Sequence, residues 1–171
     1  MYNRILVAVD GSDTSSRALA AAVELARESG AQLQPLYVVD VPLMVYDVPA
    51  YDPSYVRNAL VEESGRVLAD AAARMASAGV KGSPRMIETD LTGDDIAHRI
   101  RLAADEFDAD VVVMGTHGRR GVRRLMLGSV AERFVRIANR PVLLISAHCA
   151  SPAASAADAT PPASESSREP S

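Results

Sequence analysis

Three runs of apolar residues constrain this chain most: Ile5–Val9, Val111–Met114 and Val142–Ile145. Each is too short for a buried helix, and none alternates as a strand with one wet face would. Uninterrupted Val, Ile and Leu over four or five positions mark strands covered on both faces, the habit of a parallel sheet sandwiched by helices. The segments between them agree. From Thr14 to Ser29 the apolar set Ala18, Leu19, Ala22, Val23, Leu25 and Ala26 has helical spacing, and Gly30 follows as a stop. Leu33–Val39 reads as a second strand, so the first forty residues form a βαβ unit with a parallel pair.

The alternation continues. Tyr55–Ala78 carries a stripe of Val56, Leu60, Val67, Leu68, Ala71 and Met75 and ends at Gly79 and Gly82. Arg85–Thr89 is a weaker strand whose Arg85 and Glu88 suggest a partly wet edge. Thr92-Gly93-Asp94-Asp95 signals a helix start, with Ile96, Ile100, Ala103, Ala104 and Phe107 on the apolar face and His98 off it, exposed. Ser129–Ala138 is a last helix, stopped by Arg140-Pro141 ahead of Val142–Ile145. The expected fold is α/β: a single open five-stranded parallel sheet with helices on both faces. If the first three strands wind one way, the fourth returns beside the first. The order is then 3-2-1-4-5, and the winding reverses between strands one and four, where such sheets bind ligands.

At 171 residues the chain suits one domain, here residues 1–147, followed by a tail, 148–171. Of the 23 residues from Cys149 to Ser171, 17 are Ala, Ser or Pro and none is Leu, Ile, Val or Phe, so disorder is expected there. Residues 40–54 hold three prolines and two tyrosines, an irregular loop that suits a lid, an interface or a self-packed surface. A net charge of −4 argues against nucleic acid or an anionic membrane as the main partner. No apolar stretch reaches the roughly 18 residues of a membrane span. One cysteine, Cys149, allows neither an intramolecular disulfide nor a cysteine-based metal site. With no leader-like segment before Ile5, a cytoplasmic protein is expected.

Two glycine-containing, helix-starting loops fall at the reversal: Asp10-Gly11-Ser12-Asp13, and the run from Gly115 to Ser129 with Arg119, Arg120, Arg123 and Arg124 inside it. Glycines let backbone N–H groups turn toward a phosphate, and a helix N-terminus adds about half a positive charge. Neither G-x-x-x-x-G-K-[ST] nor G-x-G-x-x-G is present. The spacing that is present is Gly115-x2-Gly118-x9-Gly128-Ser129. Plainer readings stand beside it: the glycines serve turns, Ser129 and Glu132 match a capping box, and Asp10 fits a helix N-cap.

The pattern G-x2-G-x9-G-[ST] resembles the nucleotide-binding signature of the ATP-binding branch of the universal stress protein family. The opening ILVAVDGSDTSSRAL, the VVMGTHGRRG run, the LGSVAERF helix start and the closing RPVLLI strand are similar to that family too. The resemblance covers roughly residues 2–147. It implies an adenine nucleotide alpha hydrolase-like fold, homodimers through Val142–Ile145, and ATP (or AMP or ADP) bound with Mg2+ or Mn2+ on the phosphates. It assigns Ala8, Val9 and Asp10 to the ribose or adenine side, the Val38–Val39 backbone to adenine, and Met114 and Gly115 to ribose. Thr116 and His117 follow on the same wall, His117 at a variable position. Gly118, Arg119, Gly128, Ser129 and Val130 would hold phosphates and ribose, with no metal ligand among the side chains. Three histidines and scattered carboxylates supply no recognisable nucleophile–base pair. A nucleotide-binding stress-response regulator is therefore expected ahead of the alternative, a slow ATPase or nucleotidyl-transferring enzyme. Independently of family, Val142–Ile145 would be an uncharged edge strand of the kind a twofold partner covers.

Overall fold

The computed structural model describes residues 1–41, 52–90, 95–117 and 127–146. The chain alternates strand and helix throughout: β1 (Arg4–Ala8), α1 (Asp13–Ser29), β2 (Gln32–Val39), α2 (Ser54–Ser77), β3 (Arg85–Glu88), α3 (Ile96–Glu106), β4 (Val111–Gly115), α4 (Ser129–Ile137) and β5 (Val142–Ile145). The strands form one sheet in the order β3-β2-β1-β4-β5, and every neighbouring pair is parallel. Fold class and strand order match the expectation, and element ends differ from it by a single residue. The loop at 42–51, the helix signal at Thr92-Gly93-Asp94, the arginine-rich segment 118–126 and the tail beyond Ser146 lie outside the described residues.

Both faces of the sheet are covered at β1 and β4, as their continuous apolar runs require, whereas Leu143 of β5 is exposed. In β1, Ile5 and Val7 enter the layer beneath α1 and α2, while Leu6 between them enters the layer beneath α3 and α4. All three have no exposed surface. Val111 and Val113 join the first layer and Val112 and Met114 the second, so β1 and β4 divide their side chains alike. Phe134 of α4 packs with Ile100, Ala103 and Ala104 of α3 in the second layer. Burying each large aliphatic side chain contributes about 1.5–3 kcal/mol relative to exposure.

Two details differ from the sequence reading. His98 is half-buried, not exposed, because its Nε2 lies 3.0 Å from Arg101 Nη2 one helical turn on. In α3 it is Ala97 that is buried beside Ile100, while Ile96 is partly covered. The partly wet edge at β3 is present: Arg57 of α2 grips Glu88 through two bonds, 2.9 and 2.6 Å, and Arg85 reaches Glu106 at 2.6 Å. Among the described residues no helix is long and apolar enough to cross a membrane.

At the N-terminal edge of the sheet, β1 and β4 are tied by a carboxylate. Asp110 Oδ2 accepts from the backbone N–H groups of Asn3 (2.6 Å) and Arg4 (2.9 Å), and Asp110 N donates to Arg4 O (2.8 Å). These backbone donors hold the Asp110 carboxyl below its ordinary pKa. A carboxyl lowered by folding stabilises the native state above its unfolded value and loses that contribution as pH falls through the folded value. Asp110→Ala is expected to cost about 1 kcal/mol at neutral pH, since the site is solvent-screened. The gap in Tm between the two proteins should be full near pH 6 and shrink as pH falls below the ordinary aspartate value of about 3.9, as followed by circular dichroism. A gap that does not change with pH would contradict the clamp.

Candidate functional site

The C-terminal ends of β1 and β4 emerge side by side. Val7 pairs with Val113, so Ala8 and Val9 run out beside Met114 and Gly115. Val9 N still donates to Leu36 O at 2.9 Å, which holds the chain straight until Asp10. There it turns. Asp10 Oδ1 accepts from Ser12 N (2.9 Å) and Ser12 Oγ (2.6 Å), an Asx turn around Gly11, whose φ of +81° suits glycine. The N-cap of α1 is therefore Ser12, whose Oγ accepts from Ser15 N at 3.2 Å, and not Asp10. Asp10 instead fixes the turn that sets the cap in place, and its own N–H faces Ser15 Oγ at 3.3 Å.

On the β4 side, Gly115 is where α1 comes closest. A Cβ there would lie 3.1 Å from the backbone carbon and the Cβ of Thr14 and 3.2 Å from the His117 carbonyl oxygen. A side chain there would press on the first turn of α1, which would have to give by a few tenths of an ångström. Beyond it, Thr116 N donates to Ile145 O (2.8 Å), and the Thr116 carbonyl accepts from Gly128 N (2.7 Å). That second bond joins the two ends of the glycine segment. The His117 carbonyl accepts from the Thr14 hydroxyl, across 103 residues of sequence. His117 Nδ1 lies 3.0 Å from Thr116 Oγ1, whereas Nε2 is buried with no partner among the described residues. Gly118 and Arg119 lie outside the described residues.

α4 starts at this place. Its N-cap is Gly128, in an extended conformation, and no side-chain cap bond is made. The capping-box reading of Ser129 and Glu132 is thus corrected. Ser129 is the first helical residue and exposed, one position too late to cap, and Glu132 turns along the helix to Arg136 at 2.7 Å. By contrast α1 and α3 are closed by Ser12 and Asp95 side chains. Among the described residues, the leading amides of α4, with the positive end of its dipole, have no side-chain cap at the sheet's reversal point. Leu127 and Val130 anchor this end against the α3/α4 layer.

The end of β2 forms the remaining flank. Val38 is half-buried and Val39 is 1% exposed, and the Val39 carbonyl accepts from Thr89 N at 2.9 Å. Asp40 follows, its Oδ1 2.9 Å from Thr89 Oγ1. A depression of about 350 Å³ opens on the other side of the β1 turn, between α1 and α2, lined among others by Val9, Ser12, Ser16, Arg66 and Arg74. Among the described residues no group of three or more His, Cys, Asp or Glu side chains could hold a metal ion. Thr14 was not singled out by sequence reasoning. Its signal is faint: one hydroxyl residue in a first helical turn, where such residues are common.

Known proteins agree with this frame. The profile of the universal stress protein family matches residues 1–146. A universal stress protein of Methanocaldococcus jannaschii is 36% identical over 146 residues, covering 85% of this chain and 82% of that one. The crystal structure of a family member from Burkholderia pseudomallei is 49% identical, with a TM-score of 0.71 over 84% of this chain and 96% of its own. A universal stress protein from Archaeoglobus fulgidus, solved in complex with dAMP, is 27% identical, with a TM-score of 0.62 over 84% of this chain and 98% of its own. The chain belongs to the universal stress protein family.

Gly115→Ala tests the close approach. Its methyl group is expected to cost about 1–2 kcal/mol as an overpacked contact, lowering Tm by several degrees. A melting curve identical to the parent's would show that α1 does not press on β4 here.

Proposed function

We propose that this member of the universal stress protein family is a nucleotide-binding stress-response regulator of its ATP-binding branch, acting in the cytoplasm as a homodimer. One observation carries the reading: the N-terminus of α4 begins on Gly128 and has no side-chain cap among the described residues, at the reversal point beside the glycine-floored end of β4. Helix amides so placed are suited to phosphate oxygens. The glycine spacing from Gly115 to Ser129 supplies the loop, and the dAMP complex of the Archaeoglobus relative supports adenine as the base.

In this reading Gly128, Ser129 and Val130 offer N–H groups to the phosphates, joined by Gly118 and Arg119. Asp10, with Ala8 and Val9 behind it, faces the ribose or adenine edge. Met114, Gly115 and Thr116 line the ribose wall, and the Val38–Val39 end of β2 takes the base. His117 Nε2, which has no partner among the described residues, is satisfied by the ligand. Mg2+ or Mn2+ would come bound to the phosphates and neutralise part of their charge.

Calorimetry with ATP, ADP and AMP tests this. Binding in the micromolar to millimolar range is expected, and Gly128→Val should weaken it at least about tenfold, since a branched side chain shields the helix amides. Circular dichroism should show the variant folded. No heat with ATP or AMP from nucleotide-free protein would end the reading.

The dimer rests on β5, an edge strand without internal charge or proline. Leu143 on it is 39% exposed, and Val135 and Ile137 on α4 are 44% and 38% exposed. Light scattering at micromolar concentration should give a dimer, and Leu143→Lys should shift it toward monomer. A wild-type monomer would exclude this arrangement.

A further inference from the structure

We propose that Thr14 is a positioning residue: its hydroxyl latches the start of the glycine segment to the first turn of α1, so that the two sides of the pocket hold one geometry. Thr14 is 7% exposed, and its Oγ1 donates to the His117 carbonyl. The hydroxyl protons around it are accounted for. Ser12 Oγ gives its one proton to Asp10 Oδ1 and accepts from Ser15 N, so at 3.2 Å from Thr14 Oγ1 it is an alternative acceptor and not a donor. The Thr14 proton goes to the nearer acceptor, the His117 carbonyl. Asp10, Ser12, Thr14 and His117 thereby form a continuous polar contact from the β1 turn to the β4 loop.

A second observation is independent of that bond. The missing side chain at Gly115 admits the Thr14 backbone and Cβ to within 3.1 Å of where a Cβ would stand, so α1 and the β4 end are fitted to each other at this residue. The latch also sits where it has leverage. His117 directly follows Thr116, whose carbonyl accepts the Gly128 N–H that closes the segment. Releasing His117 frees the carbonyl anchoring Gly128, and with it the direction of the α4 amides.

Thr14→Val keeps the shape and removes the donor, whereas Thr14→Ser keeps the donor. Two readouts on the full chain decide the matter. Without nucleotide, amide hydrogen exchange at Gly128 and Thr116 is expected to quicken about tenfold in Thr14→Val and to stay at the parent's rate in Thr14→Ser. With MgATP as the probe, calorimetry is expected to show about tenfold weaker binding in Thr14→Val and parental affinity in Thr14→Ser. The second readout rests on the nucleotide reading above, and the first does not. A parent that fails to bind ATP would end the nucleotide reading while exchange still decides the latch. Unchanged exchange or unchanged affinity in a folded Thr14→Val would overturn the proposal. So would a Thr14→Ser as loose as the valine variant, which applies even if Thr14→Val does not fold.

Discussion

The pairing of β4 against β1 is the constraint on which the rest of this molecule depends. These strands are more than a hundred residues apart, yet Ile5, Leu6 and Val7 stand in register with Val111, Val112 and Val113. Right-handed crossovers then leave α1 and α2 on one face and α3 and α4 on the other. The loops leaving β1 and β4 must diverge to opposite faces, which opens a crevice between them whatever their sequence. The Asp110 carboxylate secures the opposite end of the same strand pair, so the crevice is built on a seam held at both ends.

Within that crevice the two helix starts are treated differently. α1 spends Ser12 on its own first turn and carries Asp13 there, which leaves it unsuited to a second anion. α4 begins on a glycine. A polar site is thereby given direction: carboxylate and hydroxyl groups on the β1 side, helix amides on the β4 side. The nucleotide proposed above, with its base and ribose hydroxyls toward one end and its phosphates at the other, would have the matching polarity.

Most of the architecture was legible in the sequence because burial on both faces leaves an uninterrupted apolar signature in β1 and β4; β5 carries the same run although Leu143 on it is exposed. α2 was harder. Its stripe is looser, and Ser64, fully buried with its Oγ bonded to Val61 O at 2.7 Å, interrupts the apolar face. The glycine spacing pointed to the region of the site but not to its local bonding. Ser129 resembled a cap by its distance to Glu132, a pattern that says nothing of where the helix begins. Asp10 resembled a cap because Asp, Ser and Asp compete for that position within four residues, and only the geometry of the Asx turn selects Ser12. Thr14 was illegible for another reason: its partner is a backbone carbonyl, and a carbonyl has no residue identity to read.

The bond from Gly128 N to Thr116 O couples the head of α4 to the end of β4 directly. It fastens together the two points between which the basic segment is strung, one rooted in β4 and one at the head of α4. With both ends pinned, the entropic cost of closure grows only slowly with the length of chain between them. The sheet and the head of the helix are thereby joined by a bond of their own, apart from the chain that runs between them. Any force that tilts the first turn of α4 is passed straight to the end of β4, so the two respond as one body.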